Sequence, residues 1–153
     1  MGHGCCGPST GGGRPGVIFV DTGAWFEAEV ASAAAPGVVL PLVERHHEEL
    51  ATSTGVLVEL WSLLAARGQL HRATSACLDI ADSVSVLHPD ATDHAHAAQV
   101  LRAWPGQDFS YCDALSFAVM ERAGISIALS LDHHFRVYRF GPDRTRAFRV
   151  LPE

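Results

Sequence analysis

The chain has 153 residues, 48% apolar and 18% charged, a balance that suits one globular domain with a sizeable core and excludes a largely disordered chain. No apolar run approaches the roughly 20 residues that a membrane-spanning helix requires. The net charge of −6, carried against arginines alone because the chain has no lysine, excludes tight nucleic-acid binding through overall charge.

Residues 1–16 hold seven glycines and two prolines and are expected to form a flexible tail ahead of a domain over 17–153. This segment lacks the basic-then-apolar order of a secretory signal, so a cytoplasmic protein is expected. Val17-Ile18-Phe19-Val20 is a continuous β-type run, the pattern of a strand covered on both faces. Thr22-Gly23 then turns the chain into a short helix with Trp25 and Phe26. Pro36 and Gly37 punctuate, and a second helix is expected over 38–50, with Pro41 in its first turn or at a break. Thr52-Ser53-Thr54 offers N-caps for a third helix through Ala66, stopped by Gly68. That helix is apolar nearly all round, so it is expected in the core with Glu59 buried or facing a cleft.

Residues 69–82 form an expected fourth helix, and Val84-Ser85-Val86-Leu87 a strand. Pro89-Asp90 opens a fifth helix through Ala103, ended by Pro105-Gly106. A sixth runs from Cys112 to Arg122 and stops at Gly124. Ile125 to Leu131 is a strong strand candidate and 148–151 a last one. Strands alternating with helices imply an α/β fold with a mainly parallel sheet.

This arrangement gives four acids a common destination. Asp21 and Asp132 each follow a strand, and the carboxyl ends of parallel strands border the ligand crevice. Asp113 sits at a helix start, whose partial positive charge favours an anion. Glu59 reaches in from an apolar helix, where a lone acid is costly. Four carboxylates in one cleft repel one another unless a divalent cation or shared protons offset the charge. Oxygen cages of this kind suit Mg²⁺ or Mn²⁺, ions that activate water and clamp phosphates.

Other candidates have plainer explanations. Cys5, Cys6, Cys77 and Cys112 form no Cys-x-x-Cys pair and no disulfide framework; Cys77 and Cys112 suit small buried positions. Asp90, Asp93, His94 and His96 cluster at a helix start, where acids are favourable without a ligand. His46-His47 and His133-His134 are expected at the surface or on a rim, with His134 bordering the site but not binding an ion. Trp25, Trp61 and Trp104 are expected as core anchors. Arg136, Arg139, Arg144, Arg146 and Arg149 crowd the C-terminus, either as a solvated rim or as phosphate contacts.

Four blocks carry a family resemblance: Val17-Ile18-Phe19-Val20-Asp21-Thr22; Thr52-Ser53-Thr54-Gly55-Val56-Leu57-Val58-Glu59; Asp108-Phe109-Ser110-Tyr111-Cys112-Asp113-Ala114; and Ala128-Leu129-Ser130-Leu131-Asp132-His133-His134-Phe135. Together they resemble the PIN-domain nucleases, most closely the VapC-like toxins of type II toxin–antitoxin pairs. The resemblance implies a three-layer α/β/α fold and an Mg²⁺-dependent endoribonuclease, with Mn²⁺ as a substitute. It implies hydrolysis of tRNA or rRNA by metal-activated water. It matches Asp21, Glu59, Asp113 and Asp132 to the catalytic quartet, with Asp21 and Asp113 as metal ligands. Glu59 and Asp132 would bind a second ion, orient a water, or act through water-mediated contacts. Thr22, Ser110 and Ser130 match hydroxyl positions that hold the carboxylates in place. A VapB-like antitoxin and a homodimer built on helices of the N-terminal half are the implied partners.

The chain departs from the family's pattern in having Gly106-Gln107 where a basic residue often stands, and Ser130 where Thr is common. Two alternatives compete. One is a catalytically silent PIN-like module that binds RNA or protein; the other is a nuclease for DNA or another phosphodiester. Asp21-Thr22-Gly23-Ala24 also resembles the triplet of retroviral-type aspartic proteases, which require an all-β fold.

Overall fold

The computed structural model describes residues 16–31 and 37–153. The expected tail, with Cys5 and Cys6, and the Pro36 break therefore lie outside the described residues, apart from Gly16.

The elements run in chain order as β1 (Ile18–Val20), α1 (Thr22–Val30), α2 (Leu40–Arg45), β2 (Leu50–Ser53), α3 (Thr54–Ala66), α4 (Leu70–Ser83), β3 (Ser85–Leu87), α5 (Ala91–Ala103), α6 (Tyr111–Ala123), β4 (Ile127–Leu129), α7 (His134–Val137) and β5 (Arg149–Leu151). The five strands form one sheet in the order β3-β2-β1-β4-β5, with every neighbouring pair parallel. Helices flank the sheet, with α3 packed on α4 and α5 on α6. This is the expected α/β/α architecture, and it excludes the all-β fold of an aspartic protease. Among the described residues, no helix is long and apolar enough to cross a membrane.

All three residues of β1 are buried, as a central parallel strand requires. Phe19 pairs with Ala51 on one side and Ala128 on the other, two small residues that leave room for its ring. The chain leaves β1 toward β2 and β3, then returns on the opposite side as β4 and β5. The strand order thus reverses between β1 and β4, the position where open α/β sheets form their ligand crevice.

Three expectations are corrected. The helix expected over 38–50 is only α2, with Pro41 in its first turn, followed by a 3₁₀ turn over His47–Glu49. Leu50 already belongs to strand β2, whose four residues are all buried. Its polar Thr52 is accommodated because the hydroxyl donates to the Val20 carbonyl (3.0 Å) and accepts from Trp25 Nε1 (3.2 Å). Second, α3 is not enclosed on every side: Val58 is 68% exposed and Trp61 40%. Only Val56, Leu60 and Leu64 of α3 are fully buried, the stripe that faces the core. Trp61 is therefore a surface residue, unlike Trp25. Third, β4 is shorter than Ile125 to Leu131, and the short helix α7 follows it.

The caps follow the sequence more closely. Ser53 caps α3 by accepting from the Val56 N–H (3.2 Å), and Gly124 ends α6 in the left-handed region at φ 68°. Asp90 and Asp93 form a reciprocal capping box at the start of α5. The Asp93 side chain, 2% exposed, also receives Arg122 of α6 at 2.8–2.9 Å on both oxygens. Burial alone would raise the Asp93 carboxyl, but Arg122 and the Asp90 N–H bring it below the ordinary range. The cluster around Asp90 is structural.

This pair generates a stability prediction. Arg122→Met removes the cation from a buried carboxylate, and because Arg122 is partly exposed the loss is expected on the order of 2 kcal/mol. Urea unfolding should show it, and Asp93→Asn in the same chain should restore part of it. Equal stabilities for the wild type and Arg122→Met would contradict the assignment.

Candidate active site

Asp21 is the residue immediately after β1. Its backbone N–H donates to the Leu129 carbonyl of β4 (3.1 Å), which fixes it at the strand-order reversal. It occupies the N-cap position of α1, but its carboxylate makes no capping hydrogen bond. Instead Oδ2 accepts from the Ser130 hydroxyl (3.0 Å), which also accepts from the Asp132 N–H (3.0 Å). One serine after β4 therefore orients two of the acids.

Asp113 lies in the first turn of α6. It forms a capping box with Ser110: its N–H donates to the Ser110 hydroxyl (3.0 Å), and its Oδ2 accepts from the Ser110 N–H (2.8 Å). Glu59 extends from α3 and accepts from the Thr22 hydroxyl (2.6 Å). Asp132 Oδ1 accepts from the His134 N–H (2.9 Å), a turn contact that starts α7. Thr22, Ser110 and Ser130 thus each touch one of the four acids.

Asp21, Glu59, Asp113 and Asp132 line a single cleft of about 350 Å³, together with Thr22, Ser110, His134, which was expected to border the site, and Asp108, which the sequence did not single out. Asp108 stood inside a quoted block, two residues before Ser110, but a lone loop acid carries no signal of its own. His134 was expected on the rim. Its side chain is only 12% exposed, and Nδ1 sits 3.2 Å from Asp113 Oδ2 and 3.1 Å from Asp132 Oδ1.

The electrostatics are those of an uncompensated acidic cluster. Asp21 is 4% exposed, and burial pushes its carboxyl up to about 7. The Thr22 N–H and the Ser130 hydroxyl oppose that rise, while the charges of Asp113 and Glu59 add to it. Asp113 is raised as well, chiefly by burial and then by Asp132, against the contacts of Ser110 and the nearby His134. Cys112, half-buried beside Thr22 and Glu59, has its thiol raised by burial and by the Glu59 charge. A thiol held protonated in this way is a poor nucleophile, which leaves Cys112 a packing residue.

The donor set fits a divalent cation. Carboxylate oxygens suit hard ions, and a positive ion offsets the charge that raises Asp21 and Asp113. Among the described residues, the set of three whose ligand atoms all lie within 4.8 Å of one another is Asp132, His133 and His134, while Asp21, Glu59 and Asp113 share the cleft at wider spacing. By contrast, none of the five C-terminal arginines lines this cleft. Arg149 pairs with Glu153, Arg139 donates to the carbonyls of Arg136, Val137 and Tyr138, and Arg144 and Arg146 lie over the rings of Trp104 and Phe140.

Residues 18–141, most of the described chain, match the sequence model of the PIN domain. The chain belongs to the PIN-domain family, among its VapC-like nucleases. The 23S rRNA-specific endonuclease VapC20 of Mycobacterium tuberculosis is 33% identical over 125 residues, covering 81% of this chain and 95% of VapC20. The crystal structure of M. tuberculosis VapC20, a sarcin-ricin loop cleaving toxin, superposes with a TM-score of 0.68 at 32% identity, over 76% of this chain and 90% of that one. DNA-bound VapBC from Salmonella typhimurium shares the fold, with a TM-score of 0.64 at 14% identity over 88% of this chain and 96% of that one. A promoter-bound VapBC2 from Rickettsia felis does too, at 0.60 and 14% over 78% and 91%.

The raised Asp21 carboxyl sets a pH dependence. The native chain keeps this proton up to about pH 7, whereas the unfolded chain releases it near 3.8. The native state therefore binds the extra proton between those values, and the metal-free protein must lose stability as pH rises through that window. Asp21→Asn removes the penalty and should stabilise the metal-free protein at pH 8 by on the order of 3–4 kcal/mol, with little gain at pH 4. Thermal melts in chelator across that range read this out, and identical pH profiles for both proteins would contradict it.

Proposed function

We propose that this chain is a divalent-metal-dependent endoribonuclease and the toxin of a VapBC-type pair. What carries this reading is the meeting of Asp21, Glu59, Asp113 and Asp132 in one cleft at the sheet's reversal point, two of them raised by burial and then by the neighbouring acids. Asp21 and Asp113 would hold the ion, and Glu59 and Asp132 would bind a second one or orient water. Mg²⁺ is the expected ion, with Mn²⁺ as a substitute. A divalent ion in this cleft supplies charge neutralisation for acids and phosphate and makes water a stronger acid.

The chain's own residues do the positioning. Ser130 keeps one Asp21 oxygen turned toward β4 and ties Asp132 to the same point. Thr22 fixes Glu59, and the Ser110 capping box fixes Asp113 on the rigid first turn of α6. Side chains held this way are preorganised for a ligand and need no rearrangement on binding. Water, and not the ribose 2′-hydroxyl, is the nucleophile in this scheme, so the cut should leave a 5′-phosphate.

The substrate is an RNA. The identity to VapC20, spread over nearly all of that protein, favours ribosomal RNA over tRNA. The VapBC neighbours support a VapB-like antitoxin as partner, and the cytoplasm is the proposed location of the pair. The surface also supports a protein partner or a homodimer on the helices of the N-terminal half. Val58 and Trp61 are one turn apart on α3, Leu70 and Leu78 lie two turns apart on α4, and Trp61 Nε1 reaches Thr74 on the turn between them. These residues form an exposed apolar strip across the helix pair.

Cleavage of 23S rRNA and of a synthetic sarcin-ricin hairpin in Mg²⁺ or Mn²⁺ tests the assignment. Asp21→Asn and Asp113→Asn should each lower the rate by roughly 100-fold or more while the far-UV circular dichroism is retained. Wild-type rates in both variants would refute the nuclease. RNA retention without cleavage by the wild type would leave the silent binding module.

A further inference from the structure

We propose that His134 Nδ1 is itself a ligand of the divalent ion, so that the donor set is mixed nitrogen and oxygen and not carboxylate alone. The proposal rests on the metal-dependent reading above.

The first support is an orphaned atom. His134 Nδ1 is buried and has no hydrogen-bond partner. Two carboxylate oxygens stand beside it, Asp113 Oδ2 at 3.2 Å and Asp132 Oδ1 at 3.1 Å, yet neither contact has hydrogen-bond geometry. A buried polar atom left without a partner is costly and calls for an explanation such as a bound ion.

The second support is spacing. Two ligands at right angles on an ion, each bonded at roughly 2.1–2.2 Å, stand about 3.0–3.1 Å apart. The imidazole nitrogen is separated from both oxygens by almost that distance. The nitrogen is therefore placed to share a coordination shell with either oxygen.

The third support is rigidity. Phe109 meets the His134 ring edge-on, with centroids 5.2 Å apart and planes at 84°. The His134 N–H is held by Asp132, and the next residue, Phe135, is buried against Phe117 and Phe148. His133, its neighbour, is 71% exposed in its side chain and lacks such support. Only one of the two histidines is built into the cleft.

A nitrogen donor changes ion preference. Both Mg²⁺ and Mn²⁺ favour oxygen, but Mn²⁺, as a transition-metal ion, accepts an imidazole nitrogen more readily. Mn²⁺ should therefore bind more tightly than Mg²⁺, and removal of the imidazole should narrow the gap.

Pulsed electron paramagnetic resonance on the tag-free, full-length protein loaded with Mn²⁺ provides a readout independent of activity. The wild type and His133→Ala should show nitrogen hyperfine coupling from a directly bound imidazole, and His134→Ala should lack it while still binding Mn²⁺. Calorimetry should show a Mn²⁺ affinity loss of about tenfold or more in His134→Ala, with Mg²⁺ affinity changed less than about threefold. Mn²⁺ bound to the wild type without nitrogen coupling would overturn the His134 assignment and leave the carboxylate site standing. Coupling that persists in His134→Ala would overturn it equally. No Mn²⁺ binding in the wild type would overturn both. If His134→Ala fails to fold, the presence or absence of coupling in the wild type and His133→Ala decides the question.

Discussion

Crowded negative charge around a buried Asp21 is the constraint on which the rest of the structure depends. A carboxyl that is 4% exposed and faces two further acids is pushed far above its ordinary range. The fold relieves this only in part: the Thr22 N–H and the Ser130 hydroxyl lower the Asp21 carboxyl without supplying a cation. Elsewhere the same chain does neutralise a buried acid, since Asp93 is met on both oxygens by Arg122. The contrast separates a carboxylate neutralised by an arginine from a cleft that no arginine among the described residues lines.

The parallel sheet makes the convergence possible. Asp21 and Asp132 are more than a hundred residues apart, but β1 and β4 are neighbours, and Ser130 links both acids. Asp113 and Glu59 come from helices α6 and α3, which pack against one another. Each acid stands on or beside a rigid element, which is what a site of fixed geometry requires. The likeness to VapBC neighbours at 14% identity establishes only the fold; the donor set in the cleft is what argues for chemistry.

Much of this was legible from local pattern. Short apolar runs ending in Asp21 and Asp132 marked two strands and their carboxyl ends, and Asp113 was placed at a helix start, where the structure adds a capping box with Ser110. Strand β2 was hidden because Leu50-Ala51-Thr52-Ser53 is short and half polar, and its burial depends on hydrogen bonds from Trp25 and to Val20 that only the fold provides. Trp61 was placed in the core because an apolar helix carries no mark of which face a neighbour leaves open. His134 was legible as bordering the site, but not its burial among the acids, which comes from α7 and from Phe109 on a distant loop.

Anomalous diffraction from crystals soaked in Mn²⁺ tests the central claim most directly. The account predicts a strong peak within roughly 2.1–2.4 Å of carboxylate oxygens of both Asp21 and Asp113. A well-ordered cleft with no peak at saturating Mn²⁺, and with Asp21 and Asp113 joined by a shared proton instead, would contradict it.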